Sequence, residues 1–211
     1  MHPPPDAARN CHPAPRATIF RDARDPRDEE TDLNALLRLA RAIDAMNDRL
    51  GTAANAMVLA ACLICAANAA MRYAFDLSSN AWLEIQWYLF AGIVMLGASQ
   101  TLRLNEHVRV DIVYMHLGER GKAWLDLLGA VFFLIPSMLA IAWLAWPFFL
   151  QSWAVQEAST NAGGLIRWPV KLLLPAGFVL LALQGVAEAI KRVAVLRGDE
   201  RLAPRYERPV Q

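Results

Sequence analysis

Charged, histidine and cysteine residues are scarce in this sequence, and their placement excludes several classes of protein. Of 211 residues, 19% are charged and 56% are hydrophobic, which is more apolar than an average soluble domain. The four histidines are His2, His12, His107 and His116. None of them lies inside a long apolar stretch, so a membrane cytochrome with haem held between facing helices is not indicated.

Cysteine is equally uninformative as a redox signal. Cys62 and Cys65 lie deep in an apolar stretch, and the only other cysteine, Cys11, lies in a polar segment. A thiol oxidase needs a reactive pair near water and a second pair to relay electrons. The surrounding "AACLICAANAA" instead indicates small residues that let helices pack closely. No basic patch with interleaved aromatic residues suggests nucleic acid.

Four apolar stretches are long enough to cross a membrane, because about 20 helical residues span a hydrocarbon core of about 30 Å. They lie between Arg49 and Arg72, between Glu84 and Arg103, from Leu127 to Gln156 and from Trp168 to Glu188. We predict an all-α polytopic membrane protein with transmembrane helices over residues 52–73, 84–104, 124–152 and 168–194 of a four-helix domain, 51–197. The third stretch is longer than one upright helix needs, and its prolines, Pro136 and Pro147, predict kinks.

The segments that flank this domain are polar. Residues 1–32, rich in proline and in charges of both signs, predict a disordered tail, and residues 198–211 form a second tail. Between the first tail and the first transmembrane helix, residues 33–50 predict an amphipathic interfacial helix. Its apolar side carries Leu33, Leu36, Leu37, Ala40, Ile43 and Met46 or Asn47, and its polar side carries Arg38, Arg41, Asp44 and Asp48.

Lysine and arginine predict the orientation in the membrane, because they concentrate in cytoplasmic loops. They are enriched before the first helix, between the second and third helices, and after the fourth. Both termini are therefore expected in the cytoplasm, and the loops around residues 77–83 and 158–167 on the opposite side.

The stretch "LRLNEHVRVDIV", residues 102–113, is a polar elbow between two membrane helices. If the second helix continues through it, Arg103, His107 and Asp111 fall on one helical stripe; its alternation is equally compatible with an extended turn. One histidine and one carboxylate are too few for a metal site, and hydrolysis has no visible nucleophile. The elbow is either a solvated interfacial turn or a docking surface for a partner.

No ionisable side chain lies near the middle of the four spans, which argues against an autonomous exporter, since an exporter needs a buried acid or base. The polar residues there are uncharged and are expected to hydrogen-bond between helices; they are Asn68, Gln86, Gln100, Ser137 and Gln184. Glu84 and Glu188 lie at helix ends.

Three quoted stretches resemble one family: "NAAMRYAF", "EIQWYLF…LGASQTLRLNEHVRVDIVY" and "EASTNAGGLIRWPVKLLLPAGFVLLALQGVAEAIKR". It is the DctQ family, the small membrane subunit of tripartite ATP-independent periplasmic (TRAP) transporters. The resemblance extends from about Leu36 to Arg197. It implies a bacterial inner-membrane subunit without catalytic activity or cofactor, whose partners are a large permease subunit, a periplasmic solute-binding protein and lipids.

The resemblance also implies a role and a set of contact residues. The large subunit would carry the solute and sodium sites and move as an elevator, while the small subunit would enlarge its scaffold for uptake of an organic acid or related solute. Candidate partner or lipid contacts are Glu84, Trp87, Arg103, His107, Arg109, Asp111 and Trp168. The alternatives are the membrane anchor of a quinone-linked enzyme and a small autonomous exporter.

Overall fold

The protein is an all-α bundle, as predicted. The computed structural model describes residues 26–77, 79–105, 114, 116–161 and 163–198. The helices are α1 (Pro26–Phe75), α2 (Asn80–Leu104), α3 (Glu119–Gly129), α4 (Ile135–Ala154) and α5 (Trp168–Leu196), and a π-helical turn, Ala130–Leu134, joins α3 to α4. Within the described ranges, four helical runs are long and apolar enough to cross a membrane, counting α3 and α4 as one run.

Helix α1 joins two segments that the sequence analysis treated separately. The amphipathic segment 33–50 and the first transmembrane segment form one helix that begins at Pro26. One buried stripe explains this continuity, because Ala40, Asn47 and Ala54 recur at intervals of seven residues and are at most 3% exposed. A seven-residue repeat keeps one face of a helix against its neighbours over many turns.

Helix α5 is the central helix of the bundle. It packs against all four other helices and the π-helical turn. Of the 18 most apolar residues of α5, 33% are buried, against 6–11% in the other three runs. Close approach is possible because α5 carries glycine where neighbours cross it. A Cβ atom at Gly177 would lie 2.7 Å from the Cβ of Met95 on α2, and one at Gly185 would lie 3.0 Å from Leu134.

The small residues of α1 and α2 differ in how closely they pack against the neighbouring helix. The sequence predicts close packing through Ala66, Ala69 and Ala70 of α1 or through Gly92 and Gly97 of α2. The three alanines are exposed. Gly92 is buried, and a Cβ there would lie 2.9 Å from the sulfur of Met57. Close packing of α1 on α2 therefore uses the glycine of α2, and none of the described residues covers the alanine face of α1.

The π-helical turn precedes the first proline of the third membrane run. The amide of Ile135 donates to the carbonyl of Ala130, five residues back. Proline has no amide hydrogen, and its ring clashes with the carbonyl four residues earlier. A wider turn ahead of Pro136 relieves that clash and is a recognised way to interrupt an α-helix. Pro147, in contrast, lies inside α4 without interrupting it.

Charged side chains at the two ends of α2 and α5 mark the thickness of the apolar section. At about 1.5 Å per residue, Glu84 and Arg103 are separated by about 28 Å along α2. Lys171 and Glu188 are separated by about 26 Å along α5. Both separations match a hydrocarbon core of about 30 Å.

We predict that Gly177→Ala destabilises the bundle by about 1–3 kcal/mol, the usual cost of overpacking. The added methyl group would press on Met95, whose carbonyl oxygen is 3.0 Å from its position, and would separate α5 from α2. Thermal unfolding of the detergent-solubilised protein measures the effect. Gly129→Ala is the matched control, because nothing lies within 4 Å of a Cβ there; equal destabilisation by both changes would contradict the packing explanation.

Candidate functional site

Polar and charged side chains gather in two clusters, one at each end of the bundle. The first, which we call the Asp44 cluster, joins four helices. Its members are Asp44, Asn47 and Asp48 of α1, Arg103 of α2, Asp126 of α3, and Gln184, Glu188, Lys191 and Arg192 of α5.

Lys191 is the centre of the Asp44 cluster. Its Nζ lies 3.1 Å from both carboxylate oxygens of Asp44 and 2.6 Å from Oε1 of Glu188. Gln184 is 0% exposed; its Nε2 donates to Asp44 at 2.9 Å, and its Oε1 accepts from Nδ2 of Asn47 at 2.6 Å. Because hydrogen bonds are directional, the two bonds of Gln184 fix the position of α1 along the axis of α5.

Two arginines extend the cluster to α2 and α3. Arg103 forms an ion pair with Asp48, and its Nε lies 3.8 Å from Asp44. Arg192 is 4% exposed, and its Nε lies 3.0 Å from Oδ2 of Asp126. A buried ion pair pays a large desolvation cost, so it adds geometric specificity more than net stability. The charges of the Asp44 cluster are engaged with one another, which is an arrangement that holds helices together.

This geometry corrects the expected faces of the amphipathic segment. Asp44 was assigned to the solvated side, but its side chain is only 18% exposed. Of the two alternatives for the apolar side, Asn47 is buried and Met46 is exposed. Arg103, expected at lipid head groups, has carboxylate partners within the chain.

The polar elbow begins where α2 ends. Asn105 adopts a left-handed conformation with φ of 62°, and its amide caps the helix by donating to the carbonyl of Leu102. A left-handed residue is a common way for a helix to end. Helix α2 therefore ends at Leu104, one turn or less after Arg103. His107, Arg109 and Asp111 lie outside the described residues, and their contact roles stay predictions.

The second cluster, the Glu84 cluster, ties the loop between α4 and α5 to the start of α2. Its members are Glu84, Glu157, Ser159, Asn161, Arg167 and Lys171. Glu84 accepts hydrogen bonds from the Ser159 hydroxyl, from Nδ2 of Asn161 at 2.9 Å and from the Leu165 amide at 2.7 Å. Three donors on one carboxylate hold the loop across the end of the bundle.

Glu157 closes the base of the same loop. It forms an ion pair with Lys171, and its carbonyl accepts from the Arg167 amide at 2.8 Å. The hydrogen bond from Lys171, together with the charge of Arg167, lowers the pKa of Glu157 below its usual 4.5. Lys171 also lies 4.1 Å from the centre of the Phe148 ring, so its ammonium is held by an aromatic face as well.

A cavity of about 330 Å³ opens beside the Glu84 cluster. Its wall combines Glu84, Arg167 and Lys171 with Trp87 and Tyr88. Trp87 is 77% exposed. Trp168 instead packs edge-on against Trp153 with ring centres 4.4 Å apart. The contact roles predicted for Glu84, Trp87 and Trp168 stay predictions.

Sequence reasoning overlooked most of both clusters. The signal for the Asp44 cluster was available, since Asn47 falls in the same seven-residue repeat as Ala40 and Ala54. A polar residue inside an apolar repeat indicates a buried hydrogen bond. The Glu84 cluster had no such signal, because its residues come from a loop without periodicity. In the described part of the chain, no group of histidine, cysteine, aspartate and glutamate is arranged to hold a metal.

We predict that Lys191→Met destabilises the protein by about 1–3 kcal/mol, because it leaves the carboxylates of Asp44 and Glu188 without their shared cation. The measurement is thermal unfolding at neutral pH. Lys122→Met is the matched control, since Lys122 pairs with Glu119 at a surface where such pairs contribute about 0–1 kcal/mol. A similar loss in both variants would show that the Asp44 cluster has no special role.

We also predict a pH effect from Glu157. Since its pKa is lower in the folded protein than its usual 4.5, its ionised form stabilises the fold above that pH, and this stabilisation is lost as pH falls through the lowered pKa. Between pH 7 and pH 3, Glu157→Gln should show a smaller fall in unfolding temperature than the unchanged protein. Glu119→Gln, an exposed change, should retain the parent profile; an unaltered profile in Glu157→Gln would refute the effect.

Comparison with known families adds an independent finding. A family model described as "Tripartite ATP-independent periplasmic transporters, DctQ component" matches residues 42–195. The match runs from the Asp44 region of α1 to the end of α5 and so includes both clusters. Comparisons with curated proteins and with solved structures gave no match. Since the matched region is well over half of the chain, this protein belongs to the DctQ family and is a multi-pass membrane component of a tripartite transporter.

Proposed function

We propose that this chain is the small, non-catalytic permease subunit of a TRAP transporter in a bacterial inner membrane. It supports a large elevator subunit during sodium-driven, binding-protein-dependent uptake of an organic acid or related solute. The observation that carries this proposal is the confinement of charge to the two ends of the bundle. There, acids and bases pair with one another.

The apolar section between the clusters has no charged group with which to bind a solute or coupling ion. No charged residue lies between Glu84 and Arg103 in α2, or between Lys171 and Glu188 in α5. Ionisable residues within a membrane commonly mark ion and substrate pathways. A chain without them at mid-depth fits a supporting subunit whose partner carries out transport.

Large exposed apolar side chains fit a protein that is enclosed by lipid and by a partner. On α4, Trp143 and Leu144 are 80% and 74% exposed. Such a surface is incompatible with water but suits a bilayer. Only a membrane, a partner subunit or both can cover it.

The distribution of basic residues supports an orientation with both termini in the cytoplasm. The Asp44 cluster would then lie at the cytoplasmic end, next to Arg38, Arg41 and Arg49. The Glu84 cluster and its loop would face the periplasm, where the solute-binding protein arrives. Since two carboxylates anchor that loop, it offers the binding protein a rigid surface.

We predict that solute uptake requires this chain together with the large subunit. Proteoliposomes with an inward sodium gradient would contain this chain alone, the large subunit alone, or both, each with the binding protein outside. Uptake should occur only with both subunits, because the large subunit would carry the solute and sodium sites and this chain would support it. Uptake should disappear when the sodium gradient is collapsed.

Three results would contradict the proposal. Transport by this chain alone would indicate a pathway through the bundle and favour an autonomous exporter. Full transport by the large subunit alone would deny a supporting role. Uptake that persists without a sodium gradient would refute sodium coupling while leaving the supporting role intact.

A further inference from the structure

One side of the α1–α2 pair is concave, and small and polar residues line it together with aliphatic ones. Two cavities lie along it. The inner cavity, about 720 Å³, is lined by Ala54 and Asn55 of α1 and by Gly97, Ala98 and Thr101 of α2. The outer cavity, about 620 Å³, is lined by Asn68, Ala69 and Arg72 of α1 and by Leu83 and Gln86 of α2. We call these two cavities together the α1–α2 groove.

Short side chains form one part of the lining of the inner cavity. Gly97 and Ala98 lie on α2 between the flanking residues Ala54 of α1 and Leu181 of α5. Small residues on a membrane helix let a second helix approach its backbone closely. Phe90, which is 66% exposed, lies on α2 between the inner and outer cavities. A membrane helix along this surface would pack against the small residues of the inner cavity and pass beside Phe90.

Amide groups also line the groove at depths where lipid offers no hydrogen bonds. Asn55 is exposed and lies about 10 Å inside the level of Asp48 along α1. In the described part of the chain, the exposed side chain of Asn55 and the half-buried side chain of Asn68 form no hydrogen bond. Nε2 of Gln86 is shielded from solvent without a partner. A polar group in hydrocarbon without a hydrogen bond is unfavourable, so another polypeptide is the better cover.

A charged residue at the outer end of the groove also indicates that a polypeptide covers it. Arg72, in the last turn of α1, is exposed and has no ion-pair partner among the described residues. Its guanidinium is available to a carboxylate on whatever covers the groove.

The opposite face, on the π-helical turn and α4, has the composition that lipid tails require. Phe133, Trp143 and Leu144 are between 74% and 80% exposed, and Ala140 is exposed beside them. The apolar side chains need no hydrogen bonds, and the hydroxyl of the exposed Ser137 beside them can bond to a carbonyl of its own helix. This face therefore differs from the groove in both shape and chemistry.

We infer that the α1–α2 groove receives a transmembrane helix of the large permease subunit, and that the α4 face contacts lipid. The docked helix presents hydrogen-bonding side chains to Asn55 and Asn68 and a carboxylate near Arg72. This inference rests on the proposed function, because it takes the large subunit as the partner, and it adds which surface that partner covers.

Site-specific photo-crosslinking in the assembled transporter tests the inference. A photoreactive phenylalanine analogue would replace Ala69 in the groove or Ala140 on α4, both of which are exposed helical alanines. Illumination should give an adduct with the combined mass of this chain and the large subunit from position 69 and none from position 140. Ala69→Trp should also lower the amount of co-purified large subunit at least tenfold, and Ala140→Trp should leave it unchanged.

The alternative results separate the inference from the proposal beneath it. An adduct with the large subunit from position 140 only, or an adduct of two copies of this chain from position 69, would overturn the groove assignment while leaving the transporter subunit intact. Unchanged co-purification with Ala69→Trp would do the same. If the unmodified chain forms no complex with the large subunit, the proposed function fails and the groove assignment fails with it.

Discussion

The attachment of α1 to α5 through Lys191 is the interaction on which the rest of the structure depends. Lys191 lies between the carboxylates of Asp44 and Glu188, and Gln184 connects the same carboxylates to Asn47. A helix held only by apolar contacts can slide or rotate by a small amount at little cost. Directional hydrogen bonds and ion pairs remove that freedom. Once this end of α1 is fixed, its rotation is fixed along its whole length, including the membrane section.

The need for such an attachment follows from how little the bundle buries. Among the described residues, the buried apolar side chains other than Ile43 and Pro175 are alanines, for example Ala40, Ala182 and Ala187. Small side chains allow helices to approach closely, but they interdigitate poorly and specify position weakly. In a membrane the hydrophobic effect does not drive helices together either. Polar contacts at the ends therefore supply the specificity that the core lacks, and the Glu84 cluster performs this task at the opposite end.

The length of each apolar run and the charges at its ends were sufficient to predict four membrane-length helices, because crossing a membrane imposes a length and a composition. The partners of the end charges could not be predicted in the same way. Asp44 resembles a solvated residue on any helical projection, and only the position of Lys191, far away in sequence, turns it inward. The loop of Glu157 and Arg167 has no period from which a fold could be derived. The π-helical turn likewise depends on how Pro136 is accommodated three-dimensionally.

Charged residues and amide residues occupy different positions in this protein. Charged residues lie where the apolar section ends, and there they form ion pairs between helices, as Arg192 does with Asp126. The amide of Asn55 lies within the apolar section, yet the rotation of α1 imposed by Asp44 leaves it exposed outside the bundle. Gln184, an amide of the same chemistry, is fully buried and hydrogen-bonded. The contact that holds the bundle together thus also determines which amides remain without partners. A subunit whose helices are held at their ends can bind another protein through its apolar middle section.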